Sequence, residues 1–256
     1  MFTPEERDRI REDILAVARA DARVGGGAIT GSFAAGREDR WSDIDLAFGI
    51  RPGSDHFEGA IADFTLRMED TWGAVTMLDV ASGPWLYRVF LLPNTLQVDL
   101  AFVTFAEFGA TAPTFQLVFG EAATLPEPAP PDAEAMCGWA WLYALHLRSA
   151  LARGNIFQAE YMLGAMRNQA LALACLRNGL PTRDGRGFDR LPAEVLDHLP
   201  PTFPVGISYD ELLTAFRAVM ALLQSEIAPV DRDLAMRLKP VLDGLVAGLG
   251  RPGPSI

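Results

Sequence analysis

The sequence predicts an α/β (α+β) unit with a small mixed sheet, followed by an all-α helical bundle, and three observations carry that expectation. Strand-like and helix-like stretches alternate over roughly the first 105 residues, a proline-rich segment then breaks the pattern, and the remainder of the chain has helical spacing throughout. With 256 residues, half of them hydrophobic, the chain is long enough for two ordinary domains with packed cores. The expected division is 1–123 for the α/β unit, 124–132 for a linker and 133–256 for the helical domain. The linker assignment rests on TLPEPAPPDAE, 124–134, whose four prolines favour a stiff extended chain.

In TPEERDRIREDILAVARA, Thr3 can cap a helix with Pro4 at its first position and Glu6 completing a capping box, and Ile10, Ile14, Leu15 and Val17 form its apolar stripe. Strands are expected at 24–31, 42–50 and 74–80, with a helix near 55–69. YRVFLLPNTLQVDLAFV, 87–103, reads as a hairpin turning at Pro93 and Asn94. In the second half, helices are expected over 133–153, closed by Gly154, and over 156–178, closed by Gly179 with Pro181 behind it. Ser208 and Glu211 make another capping box for a helix reaching about 227, and Asp231 can cap a last one that Pro240 should kink or split.

The formal net charge of −11 disfavours nucleic acid as a partner, because phosphate binding draws on Lys and Arg. A cationic small molecule, or a nucleotide brought in with a metal ion, fits better. The two cysteines, Cys137 and Cys175, fall in helical stretches, and no apolar run approaches a membrane span. The expectation is a reduced cytoplasmic protein without a disulfide framework and without a membrane partner.

The stretch GSFAAGREDRWSDIDLAF, 31–48, concentrates the chemistry. Alternation along a strand turns Asp43 and Asp45 to one face while Ile44, Leu46 and Phe48 enter a core. In TLQVDLAFV the same alternation puts Asp99 on the polar face of a second strand. If the two strands pair, three carboxylates converge, an oxygen-ligand site for magnesium, where a pair of ions would neutralise triphosphate charge, draw a proton from an attacking hydroxyl and stabilise the leaving pyrophosphate. Upstream, Gly31 and Ser32 end a strand and open a short helix, where backbone amides and the Ser32 hydroxyl can hold phosphate. Arg37 and Arg40, in the loop after it, can reach the same phosphates.

Gly31-Ser32, ten residues, Asp43-Ile44-Asp45-Leu46 and a later Asp99 on a hairpin strand resemble the signature of the nucleotidyltransferase superfamily named for DNA polymerase beta. GSFAAG followed by SDIDL is most similar to the bacterial minimal nucleotidyltransferases and to the aminoglycoside and lincosamide nucleotidyltransferases. The resemblance covers about seventy residues, and extends more loosely to the helical half through LRSALARGNIFQAEYMLGAMRNQALALACLRNGLP. Many minimal members carry arginine before the second glycine of the motif, where this chain has Ala35 and then Arg37 after it.

The resemblance implies transfer of a nucleoside monophosphate, AMP from ATP first, to a hydroxyl of a small molecule such as an aminoglycoside-type antibiotic, with pyrophosphate released. It implies that Asp43 and Asp45 hold both metals, and that Asp99 holds the catalytic one and helps deprotonate the acceptor. The alternatives are a protein or RNA acceptor, as for toxin–antitoxin minimal nucleotidyltransferases, or a catalytically silent nucleotide-binding regulator. On the second long helix Glu160, Leu163, Gly164 and Arg167 share a face, which offers Glu160 as a base and Arg167 as a phosphate ligand, or the two as a structural salt bridge. Asp79 is expected to be a surface acid at a strand end, His146 a packed histidine, and Trp139, Trp141 and Tyr143 core or interface residues. Arg153, Arg177 and the stretch 184–190 read as solvated loop ahead of the alternative, a substrate rim.

Overall fold

The computed structural model describes residues 1–110, 113–126 and 129–249. Glu127 and Pro128 of the expected linker, and residues 250–256 of the expected helical domain, lie outside the described residues. The chain packs as two units, Met1–Ala129 and Pro130–Ile256.

The first unit runs in the order α1 (Pro4–Ala20), β1 (Val24–Ile29), α2 (Gly31–Ala34), β2 (Ile44–Ile50), α3 (His56–Trp72), β3 (Thr76–Ser82), β4 (Trp85–Leu91), β5 (Gln97–Thr104) and β6 (Gln116–Gly120). Among the described residues these strands form one mixed sheet in the order β3-β4-β5-β2-β1-β6, in which β2 and β5 pair in parallel and their neighbours are antiparallel. Strand β6 had no counterpart in the expected elements. It pairs with β1 at a sheet edge, and its short run QLVFG is half exposed, so it lacks the apolar alternation that reveals a strand.

Helix α1 begins as its sequence dictates, with the Thr3 hydroxyl accepting from the Glu6 amide and the Glu6 carboxylate accepting from the Thr3 amide. Its Ile10, Ile14, Leu15 and Ala18 and the Ala60, Ile61, Phe64 and Met68 of α3 cover one face of the sheet, meeting Ile44, Leu46 and Phe48 of β2 and Val98, Leu100 and Phe102 of β5. Phe48 stacks on Phe64 at 5.2 Å between ring centroids. The opposite face carries a smaller apolar cluster of Ala28, Ala47, Ala101, Val103 and Phe108. Strands β2 and β5 sit at the middle of the sheet because their even-numbered residues are apolar enough to be buried under both helices. Their odd-numbered residues are thereby turned to the other face.

The second unit is helical: α4 (Ala133–Ala152), α5 (Ile156–Arg177), α6 (Ala193–Leu196), α7 (Tyr209–Ile227) and α8 (Arg232–Ala247). Asp132, Ser208 and Asp231 each cap the next helix by accepting from a backbone amide three residues on. Helices α4, α5 and α7 bury a continuous Leu- and Ala-rich core, within which Cys137 and Cys175 are buried as free thiols. Helix α8 runs unbroken through Pro240. Both Pro240 and Met236, whose carbonyl loses its donor, are exposed, so water can replace the missing bond.

Three expectations in this unit need correction. His146 is exposed, not packed, because helical rotation turns it away from the buried side formed by Ala144, Leu147 and Leu151. Trp139 and Trp141 are 52% and 38% exposed and so are not core, whereas Tyr143, on which Trp139 stacks at 5.7 Å, packs against the helical core as expected. Arg177 is not simply solvated: two of its nitrogens donate to the buried Glu226 carboxylate, both at 2.9 Å, which raises the arginine pKa and compensates the charge buried in α7. Among the described residues no helix is long and apolar enough to cross a membrane.

Candidate active site

Strand alternation and register bring the acidic residues together. Asp45 is directly opposite Asp99 in the parallel β2–β5 ladder, and both belong to the odd-numbered set that faces away from α1 and α3. Asp43 precedes β2 by one residue, and its carboxylate joins theirs: ligand oxygens of Asp43, Asp45 and Asp99 all lie within 4.8 Å of one another. The three are half-buried. Asp79 is not part of this group. It lies mid-strand in β3, rather than at a strand end, and its carboxylate takes two hydrogen bonds from Arg88 across the β3–β4 pair, at 2.7 and 2.6 Å. That guanidinium holds the Asp79 carboxyl below its usual range.

Like charges so close are costly, and Asp99 carries the cost. Burial pushes its carboxyl up to about 6, against the restraint of the Gln97 amide and with a further push from the Asp43 charge. The Gln97 Nε2 donates both to Asp99, at 2.9 Å, and to Asp43, at 3.3 Å, and so ties two of the three carboxylates together. Burial and, after it, the Asp45 charge raise the Tyr87 phenol as well, which places that ring on the same face.

Asp99 therefore gives the protein a pH signature. Its native pKa lies above the reference value of 3.8, so over roughly pH 4–6 the native state keeps a proton that the unfolded chain has released. The stability linked to this group is greatest below that window and falls as pH rises through it. Asp99→Asn should remove the component: in chelator-containing buffer, the melting temperature of the variant relative to wild type is expected to climb from pH 4 to pH 7. A difference that stays constant across that range would count against this assignment.

The turn upstream completes the site. Chain leaving β1 turns at Gly31, whose φ of +62° is open to glycine and strained for other residues. A Cβ built there would fall 1.8 Å from Asp45 Oδ2, so the turn packs directly against the carboxylate. The register is pinned by the Thr30 amide, which donates to the Asp45 carbonyl at 3.0 Å. Ser32 opens the single-turn helix α2, and its Oγ is buried with no hydrogen-bond partner among the described residues. A buried hydroxyl without a partner is costly unless a ligand supplies one.

The other expected site residues have contacts of their own. Arg37 is exposed, and its amide donates to the Ser32 carbonyl at 2.9 Å. Arg40 is also exposed and lies over the Trp41 ring at 4.2 Å. Glu160 and Arg167 belong to α5 of the second unit, where Glu160 is exposed. Arg167 donates to the Thr202 carbonyl at 3.0 Å and lies over the Phe203 ring at 3.9 Å, with its pKa lowered by burial.

Sequence reasoning overlooked Gln97, Tyr87, Arg7, Arg11 and Glu38. Gln97 was recoverable from the alternation that placed it on the Asp99 face. Arg7 and Arg11 share the helical face of Ile10, Ile14 and Ala18, and charged residues on an apolar stripe are a signal of buried pairing.

The donor set fits a hard divalent cation: three carboxylates and, among the described residues, no nitrogen or sulfur ligand, gathered where burial already pushes one acid towards protonation. No protein-family model matches the chain, and no curated protein matches it. Among solved structures the chain is similar to an aminoglycoside 6-adenyltransferase from Bacillus subtilis, with 15% identity, 96% of this chain and 99% of that one covered, and a TM-score of 0.41. It is also similar to a nucleotidyltransferase-like protein from Exiguobacterium sibiricum 255-15, with 12% identity, 87% and 76% coverage, and a TM-score of 0.36.

Proposed function

We propose that the protein is a metal-dependent nucleotidyltransferase that moves a nucleoside monophosphate, AMP from ATP first, onto a hydroxyl of a small molecule such as an aminoglycoside-type antibiotic, releasing pyrophosphate. The observation that carries this reading is the convergence of Asp43, Asp45 and Asp99 beside a turn whose Ser32 hydroxyl is buried without a partner. Asp43 and Asp45 would hold magnesium, two ions in the fullest form, and Asp99 would join them on the catalytic one. Magnesium bound there would neutralise the triphosphate and the departing pyrophosphate and make the acceptor hydroxyl easier to deprotonate.

The residues of the chain divide the remaining work. Gly31 allows a phosphate to approach the backbone, and the Ser32 hydroxyl donates to a phosphate oxygen. Asp99, once ionised, accepts the proton of the attacking hydroxyl. Gln97 keeps the Asp43 and Asp99 carboxylates in one orientation by donating to both. In-line displacement asks mainly for such positioning and for charge neutralisation. The acidic composition suits a cationic acceptor and disfavours an RNA one.

The experiment is mass spectrometry of aminoglycosides, lincosamides and small metabolites incubated with ATP and magnesium. A gain of one AMP on a panel member, lost in an Asp45→Ala control, supports the reading. ATP turnover absent with every small-molecule, protein and RNA acceptor, while ATP still binds, would favour a silent regulator instead. In the active enzyme, Ser32→Ala is expected to raise the KM for ATP about tenfold or more and to change kcat less, because a hydrogen bond to a charged group is lost. Steady-state kinetics in ATP at saturating acceptor measure it, and an unchanged KM would remove Ser32 from the phosphate site.

A further inference from the structure

Helix α1 carries two arginines where an amphipathic helix would carry aliphatic residues. Arg7 and Arg11 are 3% and 5% exposed, in line with Ile10, Ile14 and Ala18. A buried guanidinium is retained only with dense pairing, and both guanidinia reach from the helix to one segment, 38–42. Glu38 is bridged by both: its Oε2 lies 2.9 Å from Arg7 Nη2, and its Oε1 accepts from Arg11 Nη1. Arg7 Nη1 donates to the Asp39 carbonyl and, at 3.4 Å, to the Ser42 carbonyl, which belongs to the peptide bond entering Asp43. On the other side Arg11 lies over the ring of Phe33, in α2, at 4.1 Å. Asp8 is the remaining partner, 2.7 Å from Arg11 and 3.3 Å from Arg7.

The two arginines thus grip both ends of the connection between α2, which carries Ser32, and β2, which carries Asp45. The connection itself is at the surface, with Gly36, Arg37, Asp39, Arg40 and Trp41 exposed, and is folded locally by Asp39, which bonds Ser42 and whose carboxylate accepts from the Trp41 amide. These bonds are all local, and a surface loop tied only to itself can move as a unit. We propose that Arg7, Glu38 and Arg11 form a positioning clamp that fixes the separation between the Gly31–Ser32 turn and the Asp43 carboxylate. Their side chains are largely buried against one another, so they act through the loop. The link to catalysis rests on the nucleotidyl-transfer reading, whereas the clamp itself is a property of the fold.

Two readouts separate the two. In Arg7→Met, hydrogen exchange at the amides of residues 39–43 is expected to accelerate at least about tenfold while the β5 amides keep their protection. With Mn²⁺ alone as the probe, the affinity of the same variant is expected to fall about tenfold, the usual effect of removing a group that orients a ligand. Ile14→Val loosens the same helix without touching the loop and should leave Mn²⁺ affinity unchanged. If Arg7→Met does not fold, Glu38→Gln reads the same quantities. Unchanged exchange at 39–43 overturns the clamp, and so does an equal loss of Mn²⁺ affinity in Ile14→Val. Wild-type protein whose Mn²⁺ binding is absent, or insensitive to Asp45→Asn, overturns the metal reading while leaving the exchange result to decide the clamp.

Discussion

Replacing Asp45 with asparagine is expected to lower nucleotidyl transfer by at least about 10³-fold, because a ligand charge supplies several kcal/mol of transition-state stabilisation. The substitution keeps the size of the side chain, which matters because the carboxylate fills the space beneath the Gly31 turn and faces Asp99 across the β2–β5 ladder. The fold should therefore persist. The Tyr87 phenol, raised mainly by burial and next by the Asp45 charge, should then titrate at lower pH than in wild type. The measurement is AMP transfer at saturating ATP and magnesium, alongside a thermal melt and a spectrophotometric tyrosine titration. Activity within tenfold of wild type, in a folded variant, would exclude Asp45 as a metal ligand.

Gly31→Ala is expected to be the most damaging change of a single methyl group. Two costs combine. The left-handed backbone at φ +62° costs a non-glycine residue about 1–2 kcal/mol. The new Cβ would then sit 1.8 Å from Asp45 Oδ2 and 2.6 Å from its Cγ, so either the turn or the carboxylate must move. Gly83 is the control: its φ is +58°, but a Cβ there meets nothing within 4 Å. Chemical denaturation should show Gly83→Ala destabilised by about 1 kcal/mol and Gly31→Ala by about 3 kcal/mol or more, with only Gly31→Ala losing Mn²⁺ affinity. Equal destabilisation of the two would mean that the turn does not press on the carboxylate.

The carboxylate pair and its turn were legible in the sequence because both depend on local rules. Strand alternation separates Asp45 from Ile44 and Leu46, a Gly-Ser after an apolar strand announces a turn, and capping boxes fixed the starts of α1 and α7. Errors came where a residue's setting depends on a neighbour distant in sequence. His146 and the two tryptophans of α4 were judged by their apolar surroundings along the chain, although helical rotation puts them on the exposed side. Arg177 was judged without Glu226, 49 residues away, which takes up its charge. Strand β6 was missed because an edge strand needs only one hydrogen-bonded neighbour and no alternating pattern.

The sequence by itself determined the two-part organisation, the caps, the faces of the strands and the residue types of the candidate site, since these depend on periodicity and backbone geometry within a few residues. Only the tertiary structure decided that Asp45 stands opposite Asp99, that Gln97 links Asp99 to Asp43, and that Arg7 and Arg11 leave the apolar stripe of α1 to hold the loop at Glu38. Those facts depend on strand register and helix docking, which are set by burial of the whole core of the first unit and not by any segment alone.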